Sequence, residues 1–125
     1  MYNTMNSVIL ISKRANILVE LQTYWNNIST ATFIPEDNRL SIEMDLGRIY
    51  IDDLGNIIEE YDEDETKQFS SEYRYFFSIC YSNKVVMEEF LTNSHWDEDT
   101  LFDNDNGNII PYNLLKNKEI KDFIV

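Results

Sequence analysis

Three stretches of the chain place apolar residues at the spacing of a helix. Between residues 15 and 28, the side chains that recur at intervals of three and four are Ile17, Leu18, Leu21, Tyr24, Trp25 and Ile28. A second helix is predicted over 84–92, with Ser82 or Asn83 in position to cap its first turn. The third is a short helix in the C-terminal tail, where the apolar residues are Leu114, Leu115, Ile120, Phe123 and Ile124.

Between the first two helices, the hydrophobic period shortens to two. Apolar and polar residues alternate from residue 40, which predicts three consecutive strands over 39–45, 48–52 and 57–61. The sequence Asp-Leu-Gly recurs eight residues apart, at Gly47 and at Gly55. A glycine near a strand end suits a hairpin with a bulge, because it accepts a positive φ. These segments therefore predict a β-meander.

Further strands complete the predicted sheet. Residues 73–82 carry aromatic side chains on both faces, which is typical of a central strand, and Pro111 favours an edge strand at 108–112. The apolar run from Val8 to Ile11 predicts a short buried strand or the beginning of a helix. Together the pattern predicts one α+β domain over residues 1–125. Its antiparallel sheet has four to five strands, with helices packed on one face.

The composition supports a folded domain and adds a large negative charge. The chain has 125 residues, of which 43% are hydrophobic and 14% aromatic, enough for one buried core. Asp and Glu number 23 against 10 Lys and Arg, which gives a net charge of −13. Direct binding to nucleic acid or to an anionic membrane surface is therefore disfavoured, because both need a cationic footprint.

The negative charge is concentrated in two segments. Residues 43–65 hold ten acidic residues and one base, Arg48, and residues 97–105 hold five acidic residues and no base. The rest of the chain is close to neutral. A solvated, solubilising surface would explain such clusters, and so would an anionic surface presented to a cationic partner. Clustering favours the second interpretation, because solubility needs only dispersed charge.

The residues that carry catalytic or metal chemistry are too few to predict a reaction. Cys80 and His95 are each the only residue of their kind, and Cys80 lies in the middle of an aromatic strand, where a thiol is normally inert. The acidic turn at 103–107 lacks the register of an EF-hand loop, and the three glycines form no phosphate-binding run. We therefore expect that this chain is not an enzyme and that it binds neither a metal ion nor a cofactor. The default location is cytoplasmic, because the N-terminal apolar run is too short for a signal peptide.

The predicted partner-binding surface comprises the two acidic clusters and one aromatic residue beside each. The acidic residues are Glu59, Glu60, Asp62, Glu63, Asp64 and Glu65 in the first cluster and Asp97, Glu98, Asp99 and Asp103 in the second. Tyr61 and Trp96 are candidate anchors, because interfaces place aromatic side chains within polar rims. Each also fits a core position, Tyr61 as the last inward residue of the third strand and Trp96 beneath a loop.

A small, acidic, Asn- and Ile-rich α+β chain without a catalytic set resembles the immunity proteins of bacterial polymorphic toxins, including those of contact-dependent growth inhibition systems. The resemblance implies an inhibitor that binds one cognate basic toxin domain, often a nuclease. The acidic residues would then face the substrate cleft of the toxin and plug it electrostatically.

Two alternatives use the same residues differently. A phage-type DNA mimic would block a restriction or CRISPR nuclease, but it should space carboxylates like phosphates along an elongated surface. An enzyme or small-molecule binder with a carboxylate site would need acidic residues buried in a pocket. The predicted alternation places Glu43, Asp45 and Asp52 on the wet face of the sheet instead.

Overall fold

Among the residues that the structure describes, seven antiparallel strands form one sheet, and helices pack against it. The computed structural model describes residues 6–104, 108–117 and 120–124. The strands are β1 (Asn6–Ser12), β2 (Thr30–Ile34), β3 (Arg39–Met44), β4 (Gly47–Gly55), β5 (Tyr75–Tyr81), β6 (Leu101–Asp103) and β7 (Ile109–Pro111), in the order β2-β3-β4-β5-β1-β6-β7. The α-helices are α1 (Ile17–Asn26), α2 (Glu63–Thr66), α3 (Lys84–Asn93), α4 (Tyr112–Leu115) and α5 (Ile120–Phe123). Short 3-10 helices span Pro35–Asp37 and Ile58–Glu60.

The N-terminal strand β1 lies inside the sheet, between β5 and β6. Leu10 pairs with Phe77 of β5 and with Phe102 of β6. Leu10 is fully buried on one face of the sheet, and its neighbour Ile11 is fully buried on the other. A strand that is covered on both faces needs an apolar run without alternation, which explains the sequence of β1. Of its two predicted structures, the strand is the correct one.

Helices α1, α3, α4 and α5 cover one face of the sheet. Their buried side chains include Ile17, Leu21, Trp25, Val86, Met87, Phe90, Leu91, Leu115 and Phe123. The Asn83 side chain begins α3 by accepting a hydrogen bond from the Val86 N–H at 2.9 Å, as predicted. Helix α1 ends two residues before the predicted limit, so that Ile28 is left exposed. The predicted α+β class is confirmed, although α2 belongs to the segment that crosses the opposite face of the sheet.

The opposite face of the sheet is half covered. Residues 57–73 cross it and bury a smaller apolar cluster with Ile11, Phe76 and Leu101 of the sheet. Beyond this covering segment, the face is polar. One row of paired residues there runs from Thr32 through Ser41, Tyr50 and Cys80 to Ser7. An antiparallel sheet can leave one face solvated in this way.

Gly47 fixes the β3–β4 hairpin against the beginning of α3. A Cβ atom at Gly47 would lie 2.4 Å from Ser82 Oγ and 2.8 Å from Asn83 Nδ2, too close for either atom. The Asn83 amide donates to the Leu46 carbonyl at 2.9 Å, and Ser82 Oγ accepts from the Arg48 N–H at 2.9 Å. Gly55, at φ 72°, lies where the β4–β5 register shifts, and the hairpin predicted there between 48–52 and 57–61 does not form.

The sheet is larger than the four to five strands predicted, and one predicted strand is wrong. Residues 57–61 do not form a strand, because the Asn56 side chain accepts a hydrogen bond from the Ile58 N–H at 3.1 Å and turns the chain into a 3-10 helix. Strands β2 and β6 were not predicted. They have five and three residues, too few to show a period clearly. Residues 105–107 of the predicted acidic turn lie outside the described residues.

Candidate functional site

The loop at residues 97–99 holds three consecutive acidic residues, and each of them contacts a base of the same chain. Asp97 accepts a hydrogen bond from Arg14 Nε at 2.6 Å. Glu98 accepts from Lys116 Nζ at 2.8 Å, and Asp99 lies 3.1 Å from Lys13 Nζ. These three residues were predicted to form a second partner-binding patch. Their charges are each paired within the fold while their side chains stay partly exposed, and their contact with a partner stays a prediction.

Arg14 is the centre of this network, because its guanidinium also binds Glu20 of α1. The hydrogen bond from Arg14 lowers the pKa of the Glu20 carboxyl below its usual value, since it stabilises the charged form. The same bond raises the pKa of Arg14. The hydrogen bond with Asp99 likewise raises the pKa of Lys13. The network therefore links α1 to the 97–99 loop through Arg14, two residues after the end of β1.

The first acidic cluster contains Glu59, Glu60, Asp62, Glu63, Asp64 and Glu65, and we call residues 59–65 the acidic segment. It covers the end of the 3-10 helix and most of α2. Among the ion pairs of the described residues, the only base that reaches it is Lys67, 3.9 Å from Asp64, with both side chains largely exposed. Such a pair contributes little. The acidic segment therefore carries its charge without compensation.

Two acidic residues of this segment also shape it. Asp62 Oδ1 accepts a hydrogen bond from the Glu65 N–H at 2.8 Å, and Glu65 Oε1 accepts from the Asp62 N–H at 3.0 Å. This reciprocal pair is a capping box at the beginning of α2. The other four acidic residues are exposed and make no contact that this turn requires.

Tyr61 fixes the acidic segment to the sheet. Its ring packs against Phe69 and Phe76 at centroid distances of 5.9 and 5.7 Å. Its hydroxyl donates a hydrogen bond to Asp103 Oδ2 at 2.8 Å. Asp103 is only 5% exposed, so that it does not belong to a surface patch. Tyr61 is half-buried and packs inward, as the competing core interpretation predicted. It follows a 3-10 helix, however, and is not the last residue of a strand.

A small cavity separates the acidic segment from the sheet. It measures about 200 Å³, and its carboxylates come from Glu60, Glu65 and Asp103. Of these three, Asp103 is buried. The sequence did not predict its burial, because β6 is too short to show which side chains point into the protein. In the part of the chain that the structure describes, no three His, Cys, Asp or Glu residues are grouped to hold a metal ion.

Trp96 is part of the core and is not an exposed anchor. Its ring lies edge-on between Phe90 and Phe102, at centroid distances of 5.6 and 5.2 Å. Its indole N–H donates to the Leu91 carbonyl at 3.0 Å. The core interpretation of this residue is therefore correct, and only a half-buried edge reaches the surface.

Cys80 and His95 do not meet. Cys80 lies on the half-covered face of the sheet, where its thiol is 3.6 Å from Ser78 Oγ. His95 packs on Tyr24 of α1, with ring centroids 4.7 Å apart, on the face that the helices cover. The sheet separates them, so that they cannot form the thiol–imidazole pair of a nucleophilic enzyme.

Other acidic residues of 43–65 are also paired. Arg39 binds Asp52 through Nε at 2.6 Å and Nη2 at 3.0 Å, and Arg48 lies 3.6 Å from Glu43. Residues 59–65 therefore hold most of the carboxylates of 43–65 that are not paired with a base of the described chain.

Comparison of the chain with family models, with curated proteins and with solved structures gives no match. Within the described ranges, no helix has the length and apolar character needed to span a bilayer.

Proposed function

We propose that this protein is an acidic immunity protein, which binds a cognate basic toxin domain and neutralises it. The toxin domain is a nuclease, and its substrate cleft is basic because it must hold a polyanion. The protein acts by binding in the cytoplasm, with no reaction, metal or cofactor of its own. The observation that supports this proposal is the uncompensated charge of the acidic segment, on a fold that pairs Asp97, Glu98 and Asp99 with bases.

The position of the acidic segment suits a plug for such a cleft. Glu59, Glu60, Asp62, Glu63 and Asp64 are exposed on two consecutive helical turns. Beneath them, the packing of Tyr61 on Phe69 and Phe76 holds these turns against the sheet. Carboxylates that are held in place before binding lose less conformational entropy when they pair with Lys or Arg.

The test is to express the chain with a toxin domain encoded immediately upstream of its gene. We expect the chain to restore growth of cells that produce the toxin and to form a complex whose affinity falls as salt rises. Reversal of Glu59, Glu60 and Glu63 to Lys should weaken this complex by about 100-fold or more. A position of the gene within a block of early phage genes would favour the DNA-mimic alternative instead.

A matched variant separates the effect of charge in the acidic segment from the effect of the net charge of the protein. Glu36, Asp37 and Asp45 are exposed acidic residues outside the acidic segment. Their reversal to Lys changes the net charge by the same amount, and it should weaken the complex by less than about tenfold. An affinity that survives both reversal in the acidic segment and high salt would exclude the electrostatic plug.

A further inference from the structure

A second cavity lies where the covering segment meets the ends of β4 and β5. It measures about 350 Å³, larger than the acidic cavity beside Asp103. Small-molecule sites begin at about 300 Å³, so that this cavity is of sufficient size for a compact ligand. The uncompensated acidic residues 59, 60 and 62–64 do not line it.

The apolar part of this cavity is formed by Ile58, Phe69 and Tyr73. The rings of Phe69 and Tyr73 meet edge to face at 6.0 Å. The Tyr73 hydroxyl donates to the Asp99 carbonyl at 2.6 Å, and Lys13 Nζ lies 5.0 Å from the centre of the same ring. These contacts hold Tyr73 in one orientation, so that the aromatic wall exists before a ligand arrives.

The polar part of the cavity contains an unpaired cation. Arg74 lines it and is exposed, and among the described residues no carboxylate forms an ion pair with Arg74. By contrast, Arg14, Arg39 and Arg48 each contact a carboxylate. In a chain with more than twice as many acidic as basic residues, an arginine without a carboxylate is unexpected.

Two further groups beside Arg74 can donate hydrogen bonds. The Asn56 side chain uses its oxygen to accept from the Ile58 N–H, which leaves its amide N–H groups available. Ser71 lines the same cavity, and its hydroxyl has no hydrogen bond within the described chain. A guanidinium presents a planar fork of donors that matches a carboxylate.

We propose that this cavity binds a small organic monocarboxylate with an aromatic body. The carboxylate pairs with Arg74 and accepts from Asn56 or Ser71, while the aromatic body packs on Phe69 and Tyr73. A single negative charge is favoured over a phosphate, because the protein itself carries −13 and repels each added charge. This site is independent of the proposed toxin contact, because the residues that line it are different.

The test is a titration of the ¹⁵N-labelled chain with phenylacetate, followed by NMR. We expect saturable shifts of the Phe69, Tyr73 and Arg74 amide signals, with a Kd of about 1 mM. Phenylacetamide is the neutral analogue, and acetate lacks the ring. Each should bind about tenfold more weakly, since one loses the ion pair and the other the aromatic contact.

Arg74→Gln should weaken phenylacetate about tenfold, and Arg48→Gln should leave it unchanged. Arg48 is a matched control, because it is an exposed arginine of β4 that does not line the cavity and pairs with Glu43. Well-dispersed spectra show that both variants fold. Absence of shifts at about 20 mM phenylacetate would overturn the proposal. So would equal binding of phenylacetamide or retained affinity in Arg74→Gln.

Discussion

The acidic segment at 59–65 and the loop at 97–99 are alike in sequence and opposite in structure. Each is a short run dominated by carboxylates. In the loop, every carboxylate lies within 3.1 Å of a Lys or Arg nitrogen of the same chain. In the acidic segment, the nearest base is 3.9 Å away and highly exposed. Clustered charge in a sequence therefore does not establish a binding surface until the fold has placed the bases.

The central position of β1 explains the difference. Lys13 and Arg14 directly follow β1, at the end of the sheet where the 97–99 loop leads into its neighbour β6. The contact between Arg14 and Asp97 joins residues 83 positions apart. The acidic segment instead crosses the half-covered face, where Arg39 and Arg48 are already paired with Asp52 and Glu43.

The largest expected effect comes from reversing charge in the loop. Asp97→Lys, Glu98→Lys and Asp99→Lys together replace three attractions by three repulsions beside Arg14, Lys116 and Lys13. We expect the melting temperature to fall by about 10 °C, since three losses of about 1 kcal/mol each correspond to roughly that shift in a chain of this size. Reversal of Glu59, Glu60 and Glu63 should change it by less than about 2 °C, because no base depends on them. Thermal unfolding followed by circular dichroism measures both, and equal losses would contradict the contrast.

Tyr61→Phe tests how firmly the acidic segment is held. The change removes one hydrogen bond to the buried Asp103 carboxylate while it keeps the ring contacts. A hydrogen bond to a charged group contributes about 1.5–3 kcal/mol, so that the free energy of unfolding should fall by about 2 kcal/mol. Urea unfolding measures this loss, and Tyr50→Phe, on the solvated part of the face, is the control. A loss of less than about 0.5 kcal/mol would show that the ring alone holds the segment.

Asp62→Ala separates structural from free carboxylates within the acidic segment. Asp62 caps α2 through the Glu65 N–H, so that its removal should destabilise the protein by about 1 kcal/mol. The neighbouring Glu63→Ala removes a charge without removing a cap, and it should leave stability within about 0.5 kcal/mol. Urea unfolding of the pair gives the difference. Identical midpoints would mean that the capping box contributes nothing in solution.

The elements with a long, regular period were predictable from sequence. Helices α1 and α3 and strands β3 and β5 lie close to their predicted limits, and Asn83 caps α3 as expected. The 57–61 segment was mispredicted, because its apolar residues suit a strand while the Asn56 side chain turns the backbone. The three-residue strand β6 carries no readable period, so the burial of Asp103 was hidden as well.

The sequence predicted which acidic residues form clusters, but it could not predict which of them the fold pairs with bases. The acidic residues at 59–65 are exposed, as a solvated run should be, with Glu65 half-buried in the capping box. The pairing of 97–99 depends on contacts across more than 80 residues for Arg14 and Lys13, which local patterning cannot show. Trp96 was ambiguous for a different reason, since its partners Phe90 and Phe102 are near in sequence but lie on different elements, α3 and β6.

The smallest expected effect is a difference in acid sensitivity. The pKa of Glu20 is lowered in the folded state by Arg14, so that this pair stabilises the protein above the unfolded pKa and is lost as pH falls through the folded pKa. Both side chains are more than one-third exposed, which limits the effect to about 0.5 kcal/mol. Glu20→Gln should therefore lower stability at pH 7 by that amount and should match the parent chain once the pH is below the lowered pKa of Glu20 in the folded state. Glu63 forms no ion pair with a base of the described chain, so that Glu63→Gln should not reproduce this loss. Urea unfolding across this range gives both curves, and a Glu20→Gln difference that persists at low pH would show that the Arg14 ion pair is not its source.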